Sequence, residues 1–135
     1  MNNFEQKVAA LCDAIPDGRV ATYGLIAALC GYPHHARHVG AALGRGVSRQ
    51  AYKVVGSSGK LTGANAFLQP GLQAELLRTG GVWVSERETV DLKRYLWQPE
   101  AEEVSEILKD FSKELKKERN LRSYFATRKS KRPLS

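Results

Sequence analysis

The side chains with reactive potential are few, and their spacing excludes more chemistry than it allows. The chain has two cysteines, Cys12 and Cys30, and three histidines, His34, His35 and His38. Both cysteines fall in apolar patterns of helical period, so they read as reduced core residues and not as a disulfide or part of a zinc site. His34 and His38 stand at i, i+4 spacing, but no carboxylate or further ligand joins them, and neither a metal nor any other cofactor is expected. Gly56-Ser57-Ser58-Gly59 lacks the spacing of a phosphate loop and the helix that follows one. What remains is positive charge: 21 Lys and Arg against 14 Asp and Glu, a formal net charge of +7 over 135 residues. That balance favours a polyanionic partner, either nucleic acid or an anionic surface. Arg45, Arg49, Lys53 and Lys60 are candidates to contact or steer phosphate, with plain surface solubility as the alternative.

Short elements must position these groups. Phe4, Val8, Leu11, Cys12 and Ile15 form one apolar helical stripe, which Pro16-Asp17-Gly18 ends. Arg19 to Ala21 is an extended link, and Thr22 can cap a helix from Tyr23 to about Leu29. Gly31-Tyr32-Pro33 makes a turn, and a third helix is predicted from about His34 to Leu43. Two short helices joined by a glycine-containing turn are a helix-turn-helix candidate, a pattern that ordinary helical hairpins share. After the loop Gly44 to Arg49, β-type runs at Tyr52–Val55 and Lys60–Thr62 flank Gly56-Ser57-Ser58-Gly59 and predict a hairpin wing. Leu72 to Leu77 reads as a short helix ending at Gly80-Gly81, and Val82-Trp83-Val84 as a strand, with Trp83 and Trp97 as core anchors. Beyond Pro99, Val104, Ile107, Leu108, Phe111 and Leu115 mark an amphipathic helix, and from Arg119 onward every charge is positive.

No apolar run approaches the roughly 18 to 20 residues that span a bilayer. The N-terminus has neither the basic nor the apolar region of a signal peptide. The expected location is therefore cytoplasmic or nucleoid-associated, or nuclear in a eukaryote, with no membrane partner.

Several collinear motifs carry a family resemblance. The run Ile15-Pro16-Asp17-Gly18-Arg19-Val20-Ala21-Thr22-Tyr23-Gly24 resembles the entry to the DNA-binding domain of O6-alkylguanine-DNA alkyltransferases. Ala36-Arg37-His38-Val39-Gly40-Ala41-Ala42 is similar to that family's recognition helix, and Val54-Val55-Gly56-Ser57-Ser58-Gly59-Lys60-Leu61-Thr62-Gly63 to the segment after its active site. Val90-Asp91-Leu92-Lys93-Arg94-Tyr95-Leu96-Trp97-Gln98-Pro99 resembles the ending of its alkyltransferase-like branch. The likeness runs over roughly Phe4 to Pro99. It departs at the reactive position: Gln50-Ala51-Tyr52-Lys53 stands where an alkyltransferase has Pro-Cys-His-Arg, and alkyltransferase-like proteins usually place Trp where this chain has Ala51. The loop from Arg37 to Ala51 is also about three residues shorter than the family's.

Direct alkyl transfer needs a thiolate activated by a neighbouring base. Alanine offers none, so the resemblance implies recognition of O6-alkylguanine without catalysis, marking the lesion for another pathway such as nucleotide excision repair. Tyr23 and Arg37 occupy the positions at which the family rotates a nucleotide out of the duplex, where a planar cation can fill the gap. Ala36, His38 and Gly40 complete the expected DNA-facing set, and Ala51, Tyr52, Lys53, Val54 and Ser57 the lesion pocket. Ala51 itself has two readings: a pocket widened for bulky alkyl groups, or one that has decayed to plain DNA binding. A DNA-binding or partner-recruiting module without lesion specificity is the rival function, and an alkyltransferase using a relocated thiol a further one. The expected fold is an α/β winged helix-turn-helix domain over residues 1–99, with a small β-hairpin wing. A helical and basic extension over 100–135 would cover the domain, dock a partner or add affinity for DNA. A monomer bound to double-stranded DNA is expected.

Overall fold

The computed structural model describes residues 2–61 and 71–109. Helix α1 spans Asn3–Ala14, its start fixed by the Asn2 side chain accepting from the Glu5 N–H at 2.8 Å. Strand β1 (Ala21–Thr22) runs directly into helix α2 (Tyr23–Leu29). The break falls there because Thr22 Oγ1 accepts from the Leu25 N–H at 3.0 Å, capping the helix as its residue type predicts.

Helix α2 ends at Gly31, whose φ of +92° lets the Tyr32 N–H reach back to the Ala27 carbonyl at 2.9 Å and its own N–H to Ala28 at 3.0 Å. Helix α3 covers Ala36–Gly44. It starts two residues later than the predicted His34, because Pro33-His34 lie in a turn closed by the His35 N–H on the Tyr32 carbonyl at 2.9 Å. Helices α2 and α3 pack on each other and both pack on α1. Val8, Leu11, Ile26, Val39 and Trp97 meet in the core between them.

A one-turn 3₁₀ segment, Ala51–Lys53, leads into strand β2 (Val54–Val55). Strand β2 pairs in parallel with β1, Ala21 opposite Val54 and Thr22 opposite Val55. On the other edge, Val20 gives its N–H to Tyr95 at 2.9 Å and accepts from Trp97 at 2.7 Å. Backbone polar groups alternate in direction along a strand, so β2 and the 95–97 segment flank β1 on opposite sides.

The predicted hairpin wing is corrected in its pairing. The turn closes as expected, with the Gly56 N–H on the Lys60 carbonyl at 2.8 Å. The ladders lie elsewhere: β2 belongs to β1, and Lys60 bridges Thr89 in antiparallel fashion. Val54 and Val55 are fully buried, and a β-branched run covered on both faces suits an internal position better than an exposed wing. Thr62 lies outside the described residues. Gly59 has a φ of +86°, and a side chain there would collide with the Val90 carbonyl oxygen, so the turn sits flush on the 88–90 segment.

Helix α4 (Leu72–Thr79) ends at Gly80 as expected, and a single turn, α5 (Leu92–Tyr95), is capped by Asp91 accepting from the Lys93 N–H at 3.0 Å. A second core gathers Val20, Val55, Leu77, Val82, Val90 and Tyr95. Val82-Trp83-Val84 forms no ladder; the Val82 N–H closes the end of α4 on Leu77 O, and Val84 O accepts from Arg78. Alternation there points Val82 and Val84 inward and leaves Trp83 63% exposed, so Trp83 is not the core anchor predicted, whereas Trp97 is.

Helix α6 (Ala101–Ile107) lies against α1, with Val104, Ile107 and Leu108 on the first core. The start of the extension thus covers the domain; Phe111, Leu115 and the basic tail lie outside the described residues. No helix among the described residues is long and apolar enough to cross a membrane.

Candidate nucleic-acid interface

Helix α3 turns Val39, Ala42 and Leu43 into the core. Arg37, His38, Ala41 and Gly44 consequently face outward. Arg37, Ala41 and Gly44 fall at i, i+4, i+7, one stripe with a single long cation at its N-terminal end and small residues behind it. No ion pair among the described residues engages Arg37. No side chain caps α3, so its first-turn N–H groups have no side-chain acceptor.

Tyr23, the first residue of α2, lays its ring over Gly40, where a Cβ would sit 3.8 Å from ring carbons Cδ1 and Cε1. An alanine methyl would make only ordinary contact there, so the aromatic ring neighbours the α3 backbone without a glycine being required. Ala36 is half-buried, one turn before Gly40. His38 joins His35, Phe4 and Tyr32 in a set of edge-on ring contacts, the two imidazole centroids 4.7 Å apart. Among the described residues, no cluster of three or more His, Cys, Asp or Glu could hold a metal ion.

The segment expected to line the lesion pocket divides. Ala51 and Tyr52 are half-buried and Ser57 is exposed beyond β2, whereas the Val54 side chain is enclosed in the core. Lys53 is 4% exposed, and its ammonium donates to the Ile15 carbonyl and to Asp17 Oδ1, both at 2.9 Å. A buried ammonium must be paired, so Lys53 ties the Pro16–Gly18 turn to the 3₁₀ segment. This corrects its reading as a phosphate contact. Arg45 is partly engaged too: its guanidinium bonds Glu5 at 3.2 Å and holds that carboxyl below its ordinary range. Arg49 and Lys60 are exposed.

Gln73 was not singled out by sequence reasoning. Buried on the inner face of α4, its Nε2 donates to the Tyr52 and Val54 carbonyls, each at 3.1 Å, and so fixes the path of the 3₁₀ segment. The available signal was a polar residue at an apolar-phase position of α4, beside Ala74 and Leu77.

Both cysteines are free and buried. Burial pushes the Cys12 thiol up to about 12 and the Cys30 thiol up to about 11. A nucleophilic thiolate is therefore suppressed at neutral pH at both positions.

Residues 3–82 match the family described as 6-O-methylguanine DNA methyltransferase, DNA binding domain. The chain belongs to this family, as an alkyltransferase-like member. It is 39% identical over 102 residues to a DNA base-flipping protein of Vibrio parahaemolyticus, covering 73% of this chain and 100% of the relative. A DNA base-flipping protein of Escherichia coli is 39% identical over 99 residues, 71% of this chain and 75% of its own. Among solved structures, S. pombe Atl1 in complex with damaged DNA containing O6-carboxymethylguanine superposes with a TM-score of 0.65 at 29% identity, covering 73% of this chain and 98% of Atl1. Mycobacterium tuberculosis OGT in complex with DNA gives 0.54 at 34% identity, over 59% of this chain and 50% of that protein. The fold shared with these neighbours is a mixed one, helices on a small parallel sheet.

Proposed function

We propose that this protein binds double-stranded DNA carrying O6-alkylguanine, everts the damaged nucleotide and marks it for another repair pathway without chemistry of its own. The observation that carries the reading is the outward Arg37, in no ion pair among the described residues, at the head of a small-residue stripe on α3, with Tyr23 packed on Gly40 behind it. Relatives named base-flipping proteins and an Atl1 structure bound to a damaged duplex support the same assignment. Arg37 fills the gap left by the everted base and bonds its orphaned partner, and Tyr23 helps rotate the nucleotide out. The small residues Ala36, Gly40 and Ala41 let the α3 backbone approach the groove, with His38 beside them.

Ala51 stands in place of the alkyl-acceptor cysteine. With no thiol there and both existing thiols held protonated in the core, alkyl transfer has no nucleophile. Tyr52, the backbone of Lys53 and Val54, and Ser57 frame a pocket whose floor Ala51 leaves open to bulky alkyl groups. Residues 1–99 serve as the DNA-reading unit, a variant winged helix whose wing is the Gly56–Lys60 turn. Residues 100–135 add a covering helix and a basic tail that strengthens non-specific binding. The protein acts as a nucleoid-associated monomer, or a nuclear one in a eukaryote, and nucleotide excision repair proteins receive the marked lesion.

The test is a titration of paired duplexes differing only by one O6-methylguanine. Tighter binding to the damaged duplex, with the protein mass unchanged afterwards, supports the proposal. Equal affinities would make the protein a DNA-binding module without lesion specificity, and an alkyl adduct would make it an enzyme.

A further inference from the structure

A cleft of about 480 Å³ opens between the Pro16–Arg19 turn, α5 and the segment that follows it, and Glu103 of α6 also lines it. Arg19, Lys93 and Arg94 all line it and are exposed. No ion pair among the described residues engages any of the three. Two are held in place: Arg19 Nη1 donates to the Arg94 carbonyl at 2.7 Å, and the Arg94 guanidinium lies 5.3 Å from the Tyr95 ring centroid. Asp17 also lines the cleft, but its carboxylate is engaged by the Lys53 ammonium at 2.9 Å. Three cations gathered in a concavity repel one another until an anion enters, and guanidinium forks match carboxylates.

The position of the cleft bears on which anion that is. It is built on the 93–98 segment, and β1 separates that segment from β2 and the Ala51 turn. Its lining shares no residue with α2, α3 or residues 51–57. The Glu103 carboxylate, in no ion pair among the described residues, lies in the same lining and disfavours a continuous phosphate backbone, but leaves room for spaced side-chain carboxylates. The chain's own end is a poor occupant, since every charge from Arg119 onward is positive. We infer that this cleft docks an acidic, Asp/Glu-rich segment of a partner protein, and that it stays open while DNA occupies α3. Its use in passing on a marked lesion rests on the function proposed above; the binding itself does not.

The test uses the full chain and a fluorescein-labelled hexaglutamate peptide as probe, at physiological salt. Arg19→Ala with Arg94→Ala should weaken peptide binding about tenfold or more, as should Lys93→Glu alone, whose side chain makes no hydrogen bond or ion pair among the described residues. Neutralising Lys129, Lys131 and Arg132 together should cost less than about threefold, and duplex affinity of the cleft variants should stay within about twofold. Amide shifts on peptide addition should gather at residues 16–19 and 93–98. The inference is overturned if the tail variant loses as much as the cleft variants, if the shifts fall on 36–45, if duplex displaces the peptide, or if the cleft variants lose duplex affinity in parallel. Loss of lesion discrimination with these peptide results intact would sink the proposed function and leave the cleft standing.

Discussion

Replacing Arg37 by alanine should divide folding from lesion recognition more cleanly than any other change. The side chain is exposed at the first turn of α3 and lies outside every ion pair among the described residues. Its loss should therefore move stability by no more than about 0.5 kcal/mol, and alanine suits a helix at least as well. On a damaged duplex, a charge-assisted hydrogen bond to the orphaned base contributes about 1.5–3 kcal/mol, which is roughly one to two decades of affinity. On an undamaged duplex no base is out, so only an electrostatic contact is lost, with the slope of log affinity against log salt flattening by at most about 0.9. Arg37→Lys keeps the charge and discards the planar fork, so it should retain binding to the plain duplex while losing most of the lesion preference. The assays are anisotropy titrations of both duplexes over a range of salt, alongside thermal melts of the protein. Equal losses on the two duplexes would refute the reasoning by making Arg37 a phosphate contact, and a melting point lowered by more than a few degrees would make it structural.

Gly40→Ala should stabilise α3 by about 0.5–1 kcal/mol, since a methyl there meets the Tyr23 ring at an ordinary 3.8 Å; a lowered thermal midpoint would show that the ring needs the bare backbone. Gly59→Ala should cost at least about 2 kcal/mol, because its φ of +86° and the Val90 carbonyl both oppose a side chain; an unaltered thermal midpoint would contradict this. Gln73→Leu should cost about 1–3 kcal/mol by leaving the Tyr52 and Val54 carbonyls short of a donor, and should erode lesion preference by loosening the 3₁₀ segment; lesion preference surviving the stability loss would deny it a positioning role. The thiols give a pH prediction. Their folded values of about 12 and about 11 lie above the ordinary 9.0, so the folded state holds protons that the unfolded chain releases. Their contribution should be intact below about pH 9 and fade as pH rises towards 11–12, visible as a falling melting temperature that conservative Cys30→Ser flattens in part.

Much of the fold was legible because its signals are local. The apolar stripe from Phe4 to Ile15, the Thr22 cap and the left-handed Gly31 each need only neighbours within a turn, and each defines an element close to where the residue types place it. The candidate site was legible in part for the same reason: helical period alone turns Arg37 outward and Val39 inward. Lys53 was misread because a lysine in a basic, glycine-rich stretch has the same local appearance whether it faces solvent or the Asp17 carboxylate.

By itself, then, the sequence determined the helical pair, the cation at its exposed corner and the want of a thiol at position 51, all properties of residue type and period. Tertiary structure alone decided which strand Val54–Val55 would join, that Gln73 would hold the turn before it, and that Arg19 and Arg94, 75 residues apart, would meet across a shared hydrogen bond. The physical reason is range. A cap or a helical stripe is satisfied within four residues, whereas a buried valine or an unpaired carbonyl takes whichever partner the packed chain brings near.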